Sequence, residues 1–172
     1  LRSYEIKNIT RFVDKGRGDW MLSIARIICL LFWGIGLLAV GISDWRSMKI
    51  PNRFQIFLGI VGCVGWLCFP EISMDERGFG MIVISLPFYI VTKVRPYAIG
   101  GGDIKLAAVC GIFLGWKRLL CAFAAASFLS GIYGFYCLFV KKKKAGDRMP
   151  FGSFLCIGAM AASFPFWDHL FF

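Results

Sequence analysis

The chain has 172 residues, of which 58% are hydrophobic and only 17% are charged, and its mean hydropathy is +0.69. Soluble domains contain roughly 45–50% apolar residues even with glycine counted, so the composition excludes an ordinary soluble protein and predicts a membrane protein. The net charge of +10 would indicate a nucleic-acid partner in a soluble protein. In a membrane protein, basic residues instead collect in cytoplasmic loops and face anionic lipid, so we expect no nucleic-acid partner.

Six apolar segments predict an all-α, polytopic membrane fold with about six transmembrane helices. We expect the polar residues 1–20 to form an N-terminal tail of uncertain status and residues 21–172 to form one membrane domain. Spans of about 20 residues each would use most of the chain, so any chemistry must lie between the spans or at the membrane surface. The six segments are approximately residues 21–41, 54–69, 78–91, 104–116, 119–140 and 151–167.

Small residues recur at four-residue spacing in the last three segments. Such spacing lets helices approach closely in lipid. We expect ordinary helix packing at these positions, and no further role. The pairs are Gly111 and Gly115, Ala122 and Ala126, Ser127 and Gly131, and Gly158 and Ala162.

The charges in the loops predict an orientation. Three loops that share one side are basic, whereas the loop after the second segment is mainly acidic. The positive-inside rule places the basic loops in the cytoplasm and both termini outside. Lys117, Arg118 and the basic tail run against this assignment. The basic loops contain Arg46, Lys49 and Arg53, then Lys93 and Arg95, then residues 141–144 and Arg148; the opposite side contains Glu71, Asp75, Glu76 and Asp168.

Two aspartates stand out on the basic side. Asp44 lies where the first segment ends and Asp103 where the fourth begins, whereas Asp147 follows a lysine run and is expected to be a solvated loop charge. A carboxylate at membrane depth is costly and usually functional. The seven cysteines form no C-x-x-C pair, and the single histidine, His169, lies near the chain end. We therefore expect no metal and no cofactor. Asp44 and Asp103 are the candidate catalytic pair.

Paired carboxyl groups are suited to hydrolysis because they share one proton. The ionised group takes a proton from water, and the protonated group hydrogen-bonds the carbonyl oxygen and then protonates the leaving nitrogen. Gly100, Gly101 and Gly102 lack side chains, so a substrate backbone can approach Asp103 closely. From helix dipoles alone, we expect Asp103, at a helix start, to be the base and Asp44, at a helix end, to be the acid.

Three motifs resemble those of the type IV prepilin peptidases, membrane aspartic peptidases of the GxGD type. The resemblance implies that both aspartates are catalytic. It also implies cleavage of a basic leader from prepilin or pseudopilin substrates at the cytoplasmic face of the cell membrane. The motifs are Asp44 followed by Ile50-Pro51-Asn52, then Gly100-Gly101-Gly102-Asp103-Ile104-Lys105-Leu106, and Pro150-Phe151-Gly152 before the last segment.

Supporting roles are expected for several motif residues. Pro51 is predicted to cap the second helix, and Asn52 to hydrogen-bond loop backbone. Lys105 is expected to point away from Asp103. It would either contact lipid headgroups or have an electrostatic role. For Pro150 and Gly152, a supporting role is implied by the resemblance alone. Ser153 occupies a position at which many members of that family have proline.

Longer members of the family carry an insert with paired C-x-x-C motifs and also N-methylate the new amino terminus. This chain resembles the short, peptidase-only forms, so methyltransferase activity is not predicted. Two other functions stay open at this point. One is a non-catalytic membrane subunit of a pilus or secretion machine, and the other is a small proton-coupled transporter component, which would more often place its acids near mid-membrane between inverted repeats. The oligomeric state and the particular prepilin are also open.

Overall fold

The computed structural model describes residues 2–95, 99–139 and 149–164, with side chains from Trp20 onward. The described chain is all-helical, which confirms the predicted fold class. The predictions on residues 141–144, Asp147, Arg148, Asp168 and His169 lie outside the described residues. The helices are α1 (Arg2–Ser47), α2 (Asn52–Cys68), α3 (Met74–Val83), α4 (Ser85–Val94), α5 (Gly101–Phe139) and α6 (Phe151–Ala162).

Three helical stretches of the described chain are long and apolar enough to cross a membrane. They are Trp20–Ser47, Met74–Val94 and Gly101–Phe139, and α2 and α6 are shorter apolar helices of 17 and 12 residues. Helix α1 runs through the predicted boundary at residue 20 without a break. These long apolar helices support the membrane protein that the composition predicted.

The turn from α1 to α2 is tightly built. Met48 adopts a left-handed φ of 49° and its N–H donates to the carbonyl of Asp44 at 2.8 Å. Pro51 then occupies the N-cap of α2, as predicted, because its fixed φ suits a helix start. This turn ends α1 one turn after Asp44.

Helices α3 and α4 form one bent span. Ser73 caps α3 by accepting a hydrogen bond from the N–H of Glu76 at 3.2 Å. The helix is interrupted at Ile84, where Pro87 in the next turn has no N–H to donate to the carbonyl four residues earlier. The third predicted segment is therefore one span with a proline-linked bend.

Helix α5 reverses direction at Gly115. A straight helix of 39 residues would be about 58 Å long, roughly twice the hydrocarbon core of a bilayer. Gly115 has φ 75° and ψ 170°, which interrupts the helix. Beyond it the chain returns: Asp103 in the first arm lies near Gly152, and Gly134 in the second arm lies near Met149. The two arms correspond to the predicted fourth and fifth segments.

Small residues allow close helix contacts, as their spacing predicted. A Cβ added to Gly80 of α3 would lie 2.7 Å from the carbonyl oxygen of Gly111 in α5, so these backbones touch. Gly158 of α6 is packed in the same way against the backbone of Ala122. Ser127 and the following small residue at 131 are exposed, so that pair does not pack within the chain.

The bundle has two distinct ends. The site end contains the end of α1 and the starts of α2, α5 and α6, so the described residues of the first two basic loops lie on one side, as predicted. The far end contains the α2–α3 loop and the Gly115 turn. There, buried Arg77 donates to the carbonyl oxygens of Ile72 at 3.3 Å, Ile112 at 2.7 Å and Phe69 at 2.9 Å.

Candidate active site

Asp44 occupies the last turn of α1 and is 5% exposed. Its Oδ2 accepts a hydrogen bond from the N–H of Ser153 at 2.8 Å. The Ser153 hydroxyl lies 3.2 Å from the same oxygen and 2.8 Å from the carbonyl oxygen of Gly41. Asp44 is therefore held against α6 through one serine that contacts α1 at two points.

The first turn of α6 supplies these donors. Pro150 is the N-cap, so the N–H groups of Gly152 and Ser153 have no partner inside the helix. Both donate to the Asp44 carboxyl group. A carboxylate at a helix N-terminus is stabilised by these N–H groups and by the helix dipole.

Asp103 lies in the first turn of α5, where its N–H donates to the carbonyl of Gly100 at 2.9 Å. Gly152 separates its carboxyl group from that of Asp44. A Cβ built on Gly152 would lie 2.8 Å from Asp103 Oδ1 and 3.0 Å from Asp44 Oδ2, so the two oxygens are separated by no more than the sum of these distances. The structure thus brings the two predicted aspartates together at the site end.

The glycine run shapes the entry to Asp103. Gly102 packs against Ile50, which lies 3.1 Å from the position of a Cβ, and Gly100 lies beside the Asp103 carboxyl group, with a Cβ position 3.3 Å from Oδ2. At Gly101, by contrast, no atom lies within 4 Å of that position. Asp103 is therefore packed on the side of Gly102 and accessible on the side of Gly101.

Gln55 is a residue of the site that the sequence analysis missed. It lies in α2, is 5% exposed, and its Nε2 donates to the carbonyl oxygen of Gly102 at 2.7 Å. Its Oε1 is buried and has no hydrogen-bond partner among the described residues. A polar amide within an apolar segment was the available signal, because such a group needs a partner in lipid.

Two supporting residues contact each other. Lys105 Nζ donates to Asn52 Oδ1 at 3.2 Å, joining α5 to α2 at an exposed position. The prediction that Lys105 points away from Asp103 agrees with this contact. Asn52 accepts this hydrogen bond through Oδ1, and its hydrogen bond to loop backbone stays a prediction.

Among the described residues, no cation is paired with either aspartate. The described ion pairs join Arg26 to Glu71 and Lys117 to Glu76, away from the site. Within the described ranges, no three His, Cys, Asp or Glu side chains form a group that could hold a metal ion. Two adjacent carboxyl groups without a cation can share a proton and act as an acid and a base.

The predicted acid and base roles of Asp44 and Asp103 rest on the dipoles of α1 and α5 alone. Asp44 does lie near the C-terminal end of α1 and Asp103 at the start of α5. The N-terminus of α6 also points at Asp44, and this was not foreseen from the sequence. The role assignment stays a prediction, and the dipole of α6 acts on it in the opposite sense to that of α1.

Comparison with known proteins gives a consistent result. The Type IV leader peptidase family matches residues 29–135, which include Asp44 and Asp103. A prepilin leader peptidase/N-methyltransferase of Pseudomonas putida is 38% identical over 144 residues, covering 80% of this chain and 49% of that protein. The protein of the same name from Bacillus subtilis is 29% identical over 126 residues, covering 73% and 51%.

A third relative has the same name and a similar overlap. The Aeromonas salmonicida protein is 31% identical over 138 residues, covering 77% of this chain and 47% of that protein. The chain thus spans about half the length of the curated relatives it matches. No solved structure matches the chain. The family match covers more than half of the chain, and the chain therefore belongs to the type IV leader peptidase family.

Proposed function

We propose that this chain is an aspartic endopeptidase that removes the basic leader from prepilin-like or pseudopilin substrates, with Asp44 and Asp103 as its catalytic residues. The observation that carries the proposal is the pair of carboxyl groups on either side of Gly152. Both belong to the segment that matches the family. The names of the relatives supply the substrate class.

The first chemical step adds water to the scissile amide. The ionised carboxylate takes one proton from water while the water oxygen bonds to the carbonyl carbon. The protonated carboxyl group gives its proton to the carbonyl oxygen, which produces a tetrahedral diol. After this step the proton has moved from one aspartate to the other.

The second step breaks the carbon–nitrogen bond. The newly protonated carboxyl group gives its proton to the leaving nitrogen, and the other carboxylate takes a proton from one hydroxyl of the diol. The products are a carboxylic acid and an amine, and the pair returns to its starting state. A place for the scissile bond is provided by the gap beside Gly152, where a Cβ is absent between the two carboxyl groups.

We further propose that the site end faces the cytoplasm in the cell membrane. Exposed basic side chains at this end would contact anionic lipid headgroups. They are Arg46, Lys49, Arg53, Lys93 and Arg95. This orientation places the aspartates at the surface from which a basic leader would approach.

Cleavage by the purified chain tests the function. In detergent or lipid nanodiscs, the protein is incubated with a synthetic peptide that carries a short basic leader, a glycine at the cleavage position and an apolar segment. We expect cleavage after the glycine, and a loss of at least about 100-fold for Asp44→Asn and for Asp103→Asn, because each substitution removes an acid–base group.

The matched control is Asp75→Asn, which alters an exposed carboxylate in the first turn of α3 at the far end. It should cleave as the unmodified chain does. Full cleavage by either Asn variant of the pair would exclude the two-aspartate mechanism. Absence of cleavage by the unmodified protein would favour a non-catalytic subunit or a transporter component.

A further inference from the structure

The backbone N–H of Ser153 is a donor to one oxygen of the candidate pair, whereas the single hydroxyl proton of this residue lies closer to the carbonyl oxygen of Gly41. Ser153 is 5% exposed, and its N–H and hydroxyl lie 2.8 Å and 3.2 Å from Asp44 Oδ2. A backbone N–H can only donate, so the oxygen that faces it must be the acceptor. Hydrogen bonds of this kind are stronger when the acceptor is ionised. The contact therefore favours a negative charge on Asp44.

Asp103 has no comparable donor among the described residues. The described residues include no hydrogen-bond donor to its carboxyl group, and its own N–H is used by Gly100. Within the described ranges, the titratable groups that interact with Asp44 are Asp103 from α5 and the Cys156 thiol from α6. No described cation is paired with either carboxyl group. When the pair holds a single proton, the side chain without donors is the better place for it.

We propose that Ser153 is a positioning residue that makes Asp44 the ionised base and Asp103 the proton donor of the pair. This proposal rests on the proposed peptidase function for its catalytic meaning. Asp44 then takes the proton from water, and Asp103 protonates the carbonyl oxygen. The assignment is the reverse of the one expected from the ends of α1 and α5, because α6 outweighs α1 at Asp44.

The serine itself makes the inference specific to this chain. Proline, which stands at this position in many proteins that the motif resembles, has neither an N–H nor a hydroxyl. Ser153→Pro would remove the N–H donor together with the neighbouring hydroxyl and leave Gly152 as the α6 donor to Asp44. Because the residue lies in the first turn of α6, where proline is tolerated, this variant is expected to fold.

A site-resolved carboxyl titration tests the proposal without substrate. The full chain is labelled with ¹³C at the aspartate side-chain carboxyl groups, and the signals are assigned by their loss in Asp44→Asn and Asp103→Asn. On acidification we expect Asp103 to take up the first proton. In Ser153→Pro the titration midpoint of Asp44 should rise by about one pH unit, the scale of a hydrogen bond to a charged group, and Ser153→Thr should retain the original order.

Ser163→Ala is the matched control, because it removes a partly buried hydroxyl from the opposite end of α6, where Ser163 accepts from Trp33 Nε1. It should leave both midpoints unchanged. First protonation of Asp44 in the unmodified chain, or midpoints in Ser153→Pro equal to those of the unmodified chain, would overturn the assignment. The titration is independent of peptide cleavage, so a chain that titrates as expected but cleaves nothing would contradict the proposed function alone.

Discussion

The two ends of the bundle each bury a side chain that can carry charge, and they surround it differently. At the far end, Arg77 is 4% exposed and donates to three backbone carbonyl groups, two from the α2–α3 loop and one from α5. At the site end, Asp44 is 5% exposed and accepts from Ser153. Asp103 beside it has no side-chain donor among the described residues.

The difference separates a structural charge from a chemical one. A guanidinium whose donors all meet fixed carbonyl groups has little freedom to change its partners, so Arg77 fastens the helix ends together. A carboxyl pair with unused acceptor capacity can bind a proton, water or a substrate carbonyl. Substitutions at the far end should therefore alter stability, and those at the site end should alter turnover.

Among substitutions outside the two aspartates, Gly152→Ala should give the largest effect on turnover. Its Cβ would lie 2.8 Å from Asp103 Oδ1, 3.0 Å from Asp44 Oδ2 and 2.9 Å from Ile50 Cδ1, so at least one neighbour must move. A displacement of about 1 Å in a catalytic group can cost roughly 100-fold in rate. We expect a loss of that size in kcat/KM, measured by peptide cleavage, together with a correctly folded protein by circular dichroism.

The control for this substitution is Gly59→Ala in α2, where no atom lies within 4 Å of the added Cβ. It should retain full cleavage and equal or slightly higher stability, because alanine is favoured over glycine inside a helix. Wild-type kcat/KM in Gly152→Ala would show that the gap between the carboxyl groups is not where the substrate bond lies.

Arg77→Met should chiefly reduce stability. The substitution keeps the apolar stem but leaves three carbonyl groups without their donor. With each lost bond costing about 1 kcal/mol, we expect the free energy of unfolding to fall by about 2–3 kcal/mol, measured by denaturant titration in detergent. The kcat of the remaining folded protein should stay near its original value.

Lys117→Met is the comparison at the same end. Lys117 forms an ion pair with Glu76 at 3.4 Å with both side chains partly exposed, and such pairs contribute less than about 1 kcal/mol. If Arg77→Met lowered kcat without lowering stability, the distinction between the two ends would be wrong.

The sequence predicted the parts of the fold that depend on local composition. Apolar segments indicated the helices, and charged loops indicated which ends lie together, so Asp44 and Asp103 could be paired. The reversal within α5 was also predicted as two segments, because Lys117 and Arg118 follow Gly115.

Contacts between distant elements could not be read in this way. Gln55 meets Gly102 from 47 positions away, and Ser153 meets Asp44 from 109 positions away. Neither partner has a local pattern that identifies the other, since each contact depends on how the helices pack. The contact between the N-terminus of α6 and Asp44 could not be predicted for the same reason, so the acid and base roles were assigned without it.

Gln55→Leu should reduce turnover with a small change in stability. The substitution removes the donor to the Gly102 carbonyl but also removes the unpartnered Oε1, so the two effects on folding partly cancel. The first turn of α5, which carries Asp103, loses its anchor to α2. We expect kcat to fall about tenfold, the equivalent of one hydrogen bond, and the free energy of unfolding to change by less than about 1 kcal/mol.

Gln55→Glu distinguishes an anchor from mere packing. A carboxylate keeps the shape but cannot donate when ionised, so it should lose turnover as Gln55→Leu does. Undiminished kcat in both variants would show that the Gly102 contact does not position Asp103.

The exposed contact between Lys105 and Asn52 should give the smallest effect. Its donor and acceptor are 3.2 Å apart and face solvent or headgroups, where water or lipid can replace either partner. A double-mutant cycle of Lys105→Met and Asn52→Ala should therefore give a coupling energy below about 0.5 kcal/mol for unfolding. A larger coupling confined to kcat would mean that the contact orders the start of α5, and the site end would then depend on its exposed rim as well as on the buried serine.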